Sequence, residues 1–182
     1  MEITFRRLSA TTDLNYQAAQ KLYDQAFPAP ERRTQAKHRA TMDDDAFFAH
    51  TIYIGEQFAG ILYFWQWDGY AYLEHLATLP ELRGQNIGGR ALEKWKEEQQ
   101  GRTLMLEIEP PEDEITRRRE GFYVRHAMQI NTHYHLHPSY SPLTAAHELR
   151  VMSFPGLLTE GQFNDFRQYL LTHILSKKYS DL

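Results

Sequence analysis

The sequence predicts an α/β fold of the α+β type, in which helices and strands alternate along the chain. Three runs rich in β-branched and aromatic residues follow one another at 46–55, 58–67 and 70–79, with only short turns between them. Such runs are typical of hairpins and therefore of antiparallel strands. Other segments repeat their apolar residues at helical spacing, most clearly at 88–100 and 159–177.

The elements at the N-terminus are a strand and two helices. Residues 2–8 alternate weakly and predict a strand, and Thr12-Asp13 provides a cap signal for the helix that follows. Apolar residues recur every four positions in that helix: Leu14, Ala18, Leu22 and Ala26. Pro28 and Pro30 end it, and the polar segment 31–42 is interpreted as a second helix.

The elements after the hairpins follow the same reasoning. Asp68-Gly69 predicts a tight turn into the strand that ends at Leu79. Helix 88–100 is followed by a strand at 102–109, a helix from about 112 to 126 and strands at 128–135 and 147–154. The final helix, 159–177, carries an apolar stripe made of Phe163, Phe166, Leu170 and Ile174.

Composition narrows the class of protein. The 182 residues are most simply one domain, spanning 1–182. A net charge of -4 gives no electrostatic footprint for nucleic acid or an anionic membrane. The absence of cysteine excludes disulfides, thiol nucleophiles and cysteine-based zinc sites. No stretch is apolar enough for a signal core or a membrane span, so we expect a cytoplasmic protein.

A glycine-rich segment separates the strand ending at Leu79 from helix 88–100. Gly84, Gly88 and Gly89 allow positive φ and a close approach of the backbone to a ligand, and the first amides of the helix favour an anion such as a phosphate. Glycine spacing alone fits an ordinary turn equally well. A P-loop would need Lys and Ser or Thr after the last glycine, and Arg90 and Ala91 stand there.

Arg83-Gly-Gln-Asn-Ile-Gly88 resembles the acyl-CoA signature of the GCN5-related N-acetyltransferases (GNAT), Arg/Gln-x-x-Gly-x-Gly/Ala. The segment departs from it at Asn86, and asparagine is one of the few residues that tolerates the left-handed region. A second segment, Phe122-Tyr123 followed by Ala127-Met128, resembles the family's Phe/Leu-Tyr-x-x-x-Gly-Phe, with Thr116 where an asparagine is common. The resemblance spans about residues 3–154.

This resemblance implies a mixed, mostly antiparallel twisted sheet with helices on both faces and a C-terminal helix added to it. It implies an acetyl-CoA-dependent N-acetyltransferase that acts on the primary amine of a small molecule. No metal is expected. The acyl donor would bind to Arg83, Gly84, Gln85, Asn86, Ile87, Gly88 and Gly89, with the backbone of Leu76, Ala77 and Thr78 holding the thioester arm. The C-terminal helix could pack on the sheet, cover the acceptor site or form a homodimer contact.

Two side chains are candidates for proton transfer. Strict alternation places Glu74 on one strand face with Tyr70 and Tyr72, opposite His75, and partial burial moves the pKa of such a carboxyl upward, as a base requires. A structural carboxylate is the alternative for Glu74. By the family pattern Tyr123 would donate a proton to the departing thiolate, and simple packing is its alternative.

Several other residues admit two interpretations. His133, His135 and His137 alternate and could form a polar strand face or the wall of a substrate pocket. Their spacing would also suit a metal, but the sequence shows no carboxylate ligand nearby. Glu107 and Glu109 could attract a cationic acceptor or lie at the surface. Arg117-Arg-Arg119 is interpreted as a solvated helix face, and contact with the CoA phosphates is its alternative. The aromatic residues around the hairpin fit an acceptor pocket or plain core: Tyr63, Trp65, Trp67, Tyr70 and Tyr72.

Two rival functions remain open. An acetyltransferase that acts on a protein amine would need an open peptide groove. A non-catalytic acyl-CoA-binding or sensing module would keep the loop at 83–89 without turnover, and the departures at Asn86, Ala127 and Met128 leave room for it.

Overall fold

The structure is a computed structural model that describes residues 2–182. Its strands are β1 (Ile3–Leu8), β2 (Phe47–Ile54), β3 (Gln57–Trp67), β4 (Tyr70–Thr78), β5 (Thr103–Ile108), β6 (Gln129–Ile130), β7 (Leu136–His137), β8 (His147–Glu148) and β9 (Arg150–Phe154). Its α-helices are α1 (Tyr16–Ala26), α2 (Gln35–Met42), α3 (Ile87–Glu98), α4 (Glu114–Arg125) and α5 (Glu160–Tyr169). Short 3₁₀ helices cover Ala29–Glu31 and Pro80–Leu82, and a π-helical turn covers Leu170–Ile174.

The chain forms two compact units. One consists of the residues up to Pro28 together with Met42–Leu104, and the other of Ala29–Thr41 together with Met105–Leu182. In the first unit the strand order is β1-β2-β3-β4, and each neighbouring pair is antiparallel. In the second unit β9 lies between β5 and β6, with β6 and β9 antiparallel, while β7 and β8 form a separate antiparallel pair. The predicted mostly antiparallel α/β fold is confirmed.

Helices cover both faces of the sheet in the first unit. Tyr63 and Phe64 are adjacent on β3, so their side chains point to opposite faces. The Tyr63 ring lies 6.0 Å from Tyr23 of α1, and the Phe64 ring lies 5.7 Å from Trp95 of α3. All four rings are almost fully buried, so each helix closes one face of the aromatic core.

The apolar stripe that the sequence predicts is buried in the second unit. Phe163, Phe166, Leu170 and Ile174 are all buried, at 5% exposure or less. The predicted single helix 159–177 is wrong in detail, because α5 ends at Tyr169 and continues as a π-helical turn. Thr159 begins α5 with a capping box, in which its side chain accepts from the Gln162 amide.

Other boundaries also differ from the predictions. The second helix begins at Gln35 rather than at residue 31, and the predicted strand 128–135 shortens to Gln129–Ile130. Among residues 2–182, no helix combines the length and the apolar character needed to cross a bilayer.

Candidate active site

The glycine-rich loop enters α3 through two left-handed residues. Gly84 has a φ of 83°, and Asn86, the N-cap of α3, has a φ of 54° and a ψ of 27°. The residues from Arg83 to Asn86 are exposed, and the Asn86 side chain makes no capping hydrogen bond. The first amides of α3 therefore lack the side-chain acceptor that usually satisfies them, at the positive end of the helix dipole. This arrangement fits a bound phosphate.

The three glycines of this segment have different roles. Of the three, only Gly84 has a positive φ, whereas Gly88 and Gly89 lie in the first turn of α3 with helical backbone. Ile87 is 2% exposed and anchors the start of the helix in the core, so only its backbone is available to a ligand. Asn86 takes the left-handed conformation for which the family prefers glycine, as predicted.

Gly60 on β3 controls the end of β4, and the sequence interpretation missed it. Gly60 pairs with Thr78, and a Cβ atom at Gly60 would lie 2.3 Å from the Ala77 carbonyl oxygen. The two backbones approach so closely there that only glycine fits. A glycine in the middle of an aromatic strand was the available signal, since it often marks a close backbone contact.

Glu74 lies in a β-bulge of β4. Tyr63 pairs with His75 and Phe64 pairs with Leu73, so Glu74 is the extra residue on its strand. The predicted alternation is therefore wrong beyond this point. Both Glu74 and His75 lie on the face covered by α1, and His75 does not share a face with Leu73.

The bulge brings Glu74 together with two ring nitrogens. The Trp65 indole N–H donates to Glu74 Oε2 over 3.1 Å, and His75 Nδ1 lies 3.6 Å from the same oxygen. The Glu74 side chain is 1% exposed. His75 in turn packs its ring edge against Tyr23 and Phe27, with centroids 4.9 and 4.5 Å away. The carboxylate is thus fixed in an aromatic environment, where few water molecules compete for its charge.

Most aromatic residues of the hairpin belong to the core rather than to a pocket. Tyr63, Trp65 and Tyr72 are at most 2% exposed. Trp67 and Tyr70 stack at the hairpin end, with ring centroids 5.5 Å apart.

Tyr123 lies in the last turn of α4. The helix ends in a Schellman motif, in which the Met128 amide donates to the Tyr123 carbonyl and the Ala127 amide donates to the Val124 carbonyl. Ala127 has a φ of 61°, the conformation for which glycine is favoured. Burial raises the pKa of the Tyr123 phenol to about 12, and the nearby Arg119 guanidinium acts in the opposite direction. The phenol therefore keeps its proton at neutral pH.

In the N-terminal half of α4, the polar side chains cap the helix or pair with neighbouring groups. Thr116 and Asp113 form a capping box, which accounts for a threonine where the family often has asparagine. Arg117 donates to the Glu112 carbonyl, Arg119 pairs with Glu109, and the arginines are exposed. The interpretation of a solvated helix face is consistent with these contacts.

The three alternating histidines do not share a strand. His133 lies outside any strand, its Nε2 donates to the Leu158 carbonyl oxygen over 3.2 Å, and its ring stacks on Phe163. His135 and His137 both turn their Nε2 atoms toward Glu107. The Glu107 side chain is 5% exposed, so it is buried rather than at the surface. It is a carboxylate next to His135 and His137 that the sequence did not reveal.

Residues 16–123 match the family model described as the acetyltransferase (GNAT) family. The protein YjbC of Bacillus subtilis (strain 168) is 29% identical over 110 residues, which cover 57% of this chain. The match covers 55% of YjbC, so the chain spans about half the length of that relative.

Solved structures give the same fold. A GNAT-family protein from Bacteroides thetaiotaomicron superposes with a TM-score of 0.88 at 27% identity, covering 94% of this chain and 98% of the other. The ribosomal-protein-S18-alanine N-acetyltransferase of Escherichia coli has a TM-score of 0.60 at 21% identity, covering 87% and 96%. An Elizabethkingia anophelis acetyltransferase with acetyl-CoA bound has a TM-score of 0.54 at 12% identity, covering 83% and 96%. The last two likenesses show the fold alone.

Proposed function

The chain belongs to the acetyltransferase (GNAT) family, and from this premise we propose that it transfers an acetyl group from acetyl-CoA to the primary amine of a small molecule. The observation that carries the proposal is the exposed loop 83–86, which leads through left-handed Asn86 into the uncapped N-terminus of α3. A strand, a left-handed turn and open helix amides are the elements that a diphosphate needs.

In this proposal the backbone from Arg83 to Gly89 holds the pyrophosphate of acetyl-CoA. The backbone of Leu76, Ala77 and Thr78 binds the arm that carries the thioester. Amide donors directed at the thioester oxygen would stabilise the negative charge that develops there during attack. The position of the β4 end supports this role, because Gly60 fixes it against β3.

Glu74 is the proposed base. An alkylammonium group with a pKa near 10 must lose a proton before its nitrogen can attack. The contacts of Glu74 with Trp65 and His75 support the role, since they hold one carboxylate oxygen in place. A structural role for the same buried carboxylate is the alternative, and the Glu74→Gln variant distinguishes the two.

Tyr123 is the proposed acid. Its phenol stays protonated at neutral pH because its pKa is raised to about 12. A thiolate that leaves with a pKa near 8.5 can take that proton only in direct contact, so the phenol must act by position. Direct attack of the amine, with no covalent acyl-enzyme, fits a chain without cysteine.

The chain offers a clean assay for this proposal. Because it contains no cysteine, every thiol detected by a thiol reagent during turnover comes from coenzyme A. We expect acetyl-CoA to raise the melting temperature and a panel of small amines, polyamines and amino sugars to trigger thiol release. Thiol release only with peptides would favour a protein amine, and a thermal shift without any thiol release would favour the non-catalytic binding module. No thermal shift with acetyl-CoA contradicts all three.

Two variants test the proposed roles, each with a matched control. Glu74→Gln and Tyr123→Phe should each lower kcat by roughly 10²-fold or more, the usual contribution of a positioned acid or base. Glu56→Gln and Tyr134→Phe make the same chemical changes at exposed side chains and should retain full turnover. If the first pair also retains full turnover, the assignment of base and acid is wrong.

The cytoplasmic location and a homodimer contact through the C-terminal helix stay proposals. Size-exclusion chromatography with light scattering tests the second, and fractionation of cells that express the chain tests the first.

A further inference from the structure

The proposed acid has a charged neighbour on its own helix. Arg119 and Tyr123 lie four positions apart in α4, so they share a helix face, with Cβ atoms about 5–6 Å apart. The Arg119 guanidinium acts electrostatically on the Tyr123 phenol, and its effect opposes that of burial. Arg119 therefore faces a group whose charge changes during the proposed reaction.

Glu109 holds Arg119 in place. It directly follows β5, and its Oε2 accepts a hydrogen bond from Arg119 Nη1. The two side chains are 40% and 44% exposed, so the pair contributes little to stability. Its consequence is positional, because it ties an arginine of α4 to the end of β5. A guanidinium has five N–H groups in one plane, and this contact uses a single nitrogen.

Charged groups on the rest of α4 point elsewhere. Glu120 pairs with Arg150 of β9 over 3.0 Å. Arg118 lies five positions before the phenol and Arg125 two positions after it, so neither shares its helix face. The helix face of the phenol is thus left to Arg119.

The end of α4 and the strand beside it complete the surroundings of Tyr123. The C-cap residue His126 packs its ring 4.9 Å from the Phe122 ring. The strand that contacts α4 is β6, which consists of Gln129 and Ile130 and has no titratable side chain. Arg119 is therefore the charge that acts on the phenol.

A cation at this place assists the step assigned to Tyr123. Donation of its proton leaves a phenolate, and the raised pKa of about 12 shows that the surroundings disfavour this anion. A thiolate with a pKa near 8.5 is a weaker base than that phenolate, so the proton transfer is unfavourable by itself. A fixed positive charge beside the oxygen stabilises the phenolate without any rearrangement.

We propose that Arg119 is a positioning residue for proton donation by Tyr123: its guanidinium stabilises the phenolate that forms, and Glu109 holds the guanidinium there. The inference rests on the proposed function. In the step concerned the C–S bond breaks, the proton of the Tyr123 O–H bond passes to the sulfur, and the electron pair of that bond stays on the phenolate oxygen. A proton from solvent then restores the phenol and balances the proton that the acylated nitrogen gives up.

The electrostatic effect can be measured without turnover. A tyrosine with a fluorinated ring, incorporated at position 123 alone, has a lower phenol pKa, and its ¹⁹F NMR signal reports the titration midpoint. Arg119→Met should raise that midpoint by about half a pH unit or more, the effect of one charge at about 5–6 Å even in water. Arg119→Lys keeps the charge and should titrate close to the parent protein. Arg125→Met, the matched control, removes an arginine from another helix face and should leave the midpoint unchanged.

Two results of this titration overturn the proposal. One is a midpoint that Arg119→Met does not change, and the other is a midpoint that Arg119→Lys raises as far as Arg119→Met does. Glu109→Ala tests the anchor, since a released guanidinium spends less time beside the phenol and the midpoint should rise part of the way. An unchanged midpoint in that variant contradicts the role of Glu109.

The kinetic test is a double-mutant cycle. A half-unit rise in the pKa of the acid makes donation about threefold less favourable, so Arg119→Met should lower kcat about threefold, with the KM values for acetyl-CoA and amine within about twofold. In the Tyr123→Phe background the same substitution should have no further effect, because no phenolate forms there. An unchanged kcat in the first case, or an equal loss in both backgrounds, contradicts the proposal.

Failure of the proposed function gives a different pattern. If the wild-type protein releases no thiol with any amine, acetyl transfer itself is wrong, and the role of Arg119 in proton donation falls with it. The ¹⁹F midpoints still decide whether the Arg119 guanidinium acts on the phenol at position 123.

Discussion

Replacing Gly60 by alanine tests how closely β3 approaches the end of β4. The new Cβ atom would lie 2.3 Å from the Ala77 carbonyl oxygen and 3.1 Å from Thr78 Cα, where ordinary contact begins at 3.4 Å. The clash with Ala77 falls short of that contact by about 1.1 Å. Both atoms belong to backbone, so no side-chain rotation relieves it, and the end of β4 must move.

The expected effect follows from this displacement. Misplacing a reacting group by about 1 Å costs roughly 10²-fold in rate, so Gly60→Ala should lower kcat/KM for acetyl-CoA by about that factor. Thiol release measures it, and hydrogen exchange of the Ala77 and Thr78 amides reports the loosened strand. Gly156→Ala is the matched control, because an added Cβ there meets nothing within 4 Å and φ is not positive.

Two outcomes would contradict this account of Gly60. If Gly60→Ala retains turnover and acetyl-CoA affinity within twofold of the wild type while its β4 amides exchange faster, the end of β4 does not hold the thioester arm. If neither the kinetics nor the exchange changes, the close approach of the two backbones itself is wrong.

Three further predictions concern the pH dependence of stability, a helix end and the loop. Burial and the Arg7 guanidinium lower the pKa of His50 to about 4 in the folded protein. The same imidazole has a pKa near 6.5 in the unfolded chain, so the unfolded state binds more protons between pH 4 and 6.5. The free energy of unfolding should therefore fall by up to about 3 kcal/mol as the pH drops from 6.5 to 4. Urea unfolding across this range should show a shallower slope for His50→Gln, and an unchanged slope contradicts the assignment. Ala127→Gly relieves the left-handed strain and should raise the unfolding free energy by about 1 kcal/mol, whereas Ala91→Gly, inside α3, should lower it by about 1 kcal/mol or more. Asn86→Gly should keep the Kd for coenzyme A within about twofold, while Asn86→Val should raise it roughly tenfold by calorimetry, because a β-branched residue is strained at positive φ; equal Kd values for the two variants contradict this view of the loop.

The departures from the family motifs show how sequence and structure answer different questions. Ala127 stands in the place of a glycine. Its φ of 61° shows that the Schellman turn is kept, although an alanine is strained in this left-handed conformation. Thr116 stands in the place of an asparagine, and its hydroxyl closes the capping box with Asp113. The motif comparison identified both positions, but only the backbone geometry explains what each replacement does.

Local sequence patterns predict much of the secondary structure of this protein. Hairpin composition, helical periodicity and the turn residues are properties of neighbouring positions, so the sequence alone predicted the order of elements apart from β7, and the stripe from Phe163 to Ile174. The left-handed residue at Asn86 followed from the motif resemblance. The tertiary structure alone decided where the alternation fails and which distant side chains meet. The bulge that turns His75 to the side of Glu74 depends on pairing with β3, and Glu107 reaches His135 across 28 positions of the sequence. No short-range pattern encodes either outcome, because the register of a strand pair and a contact between distant residues are set by tertiary packing.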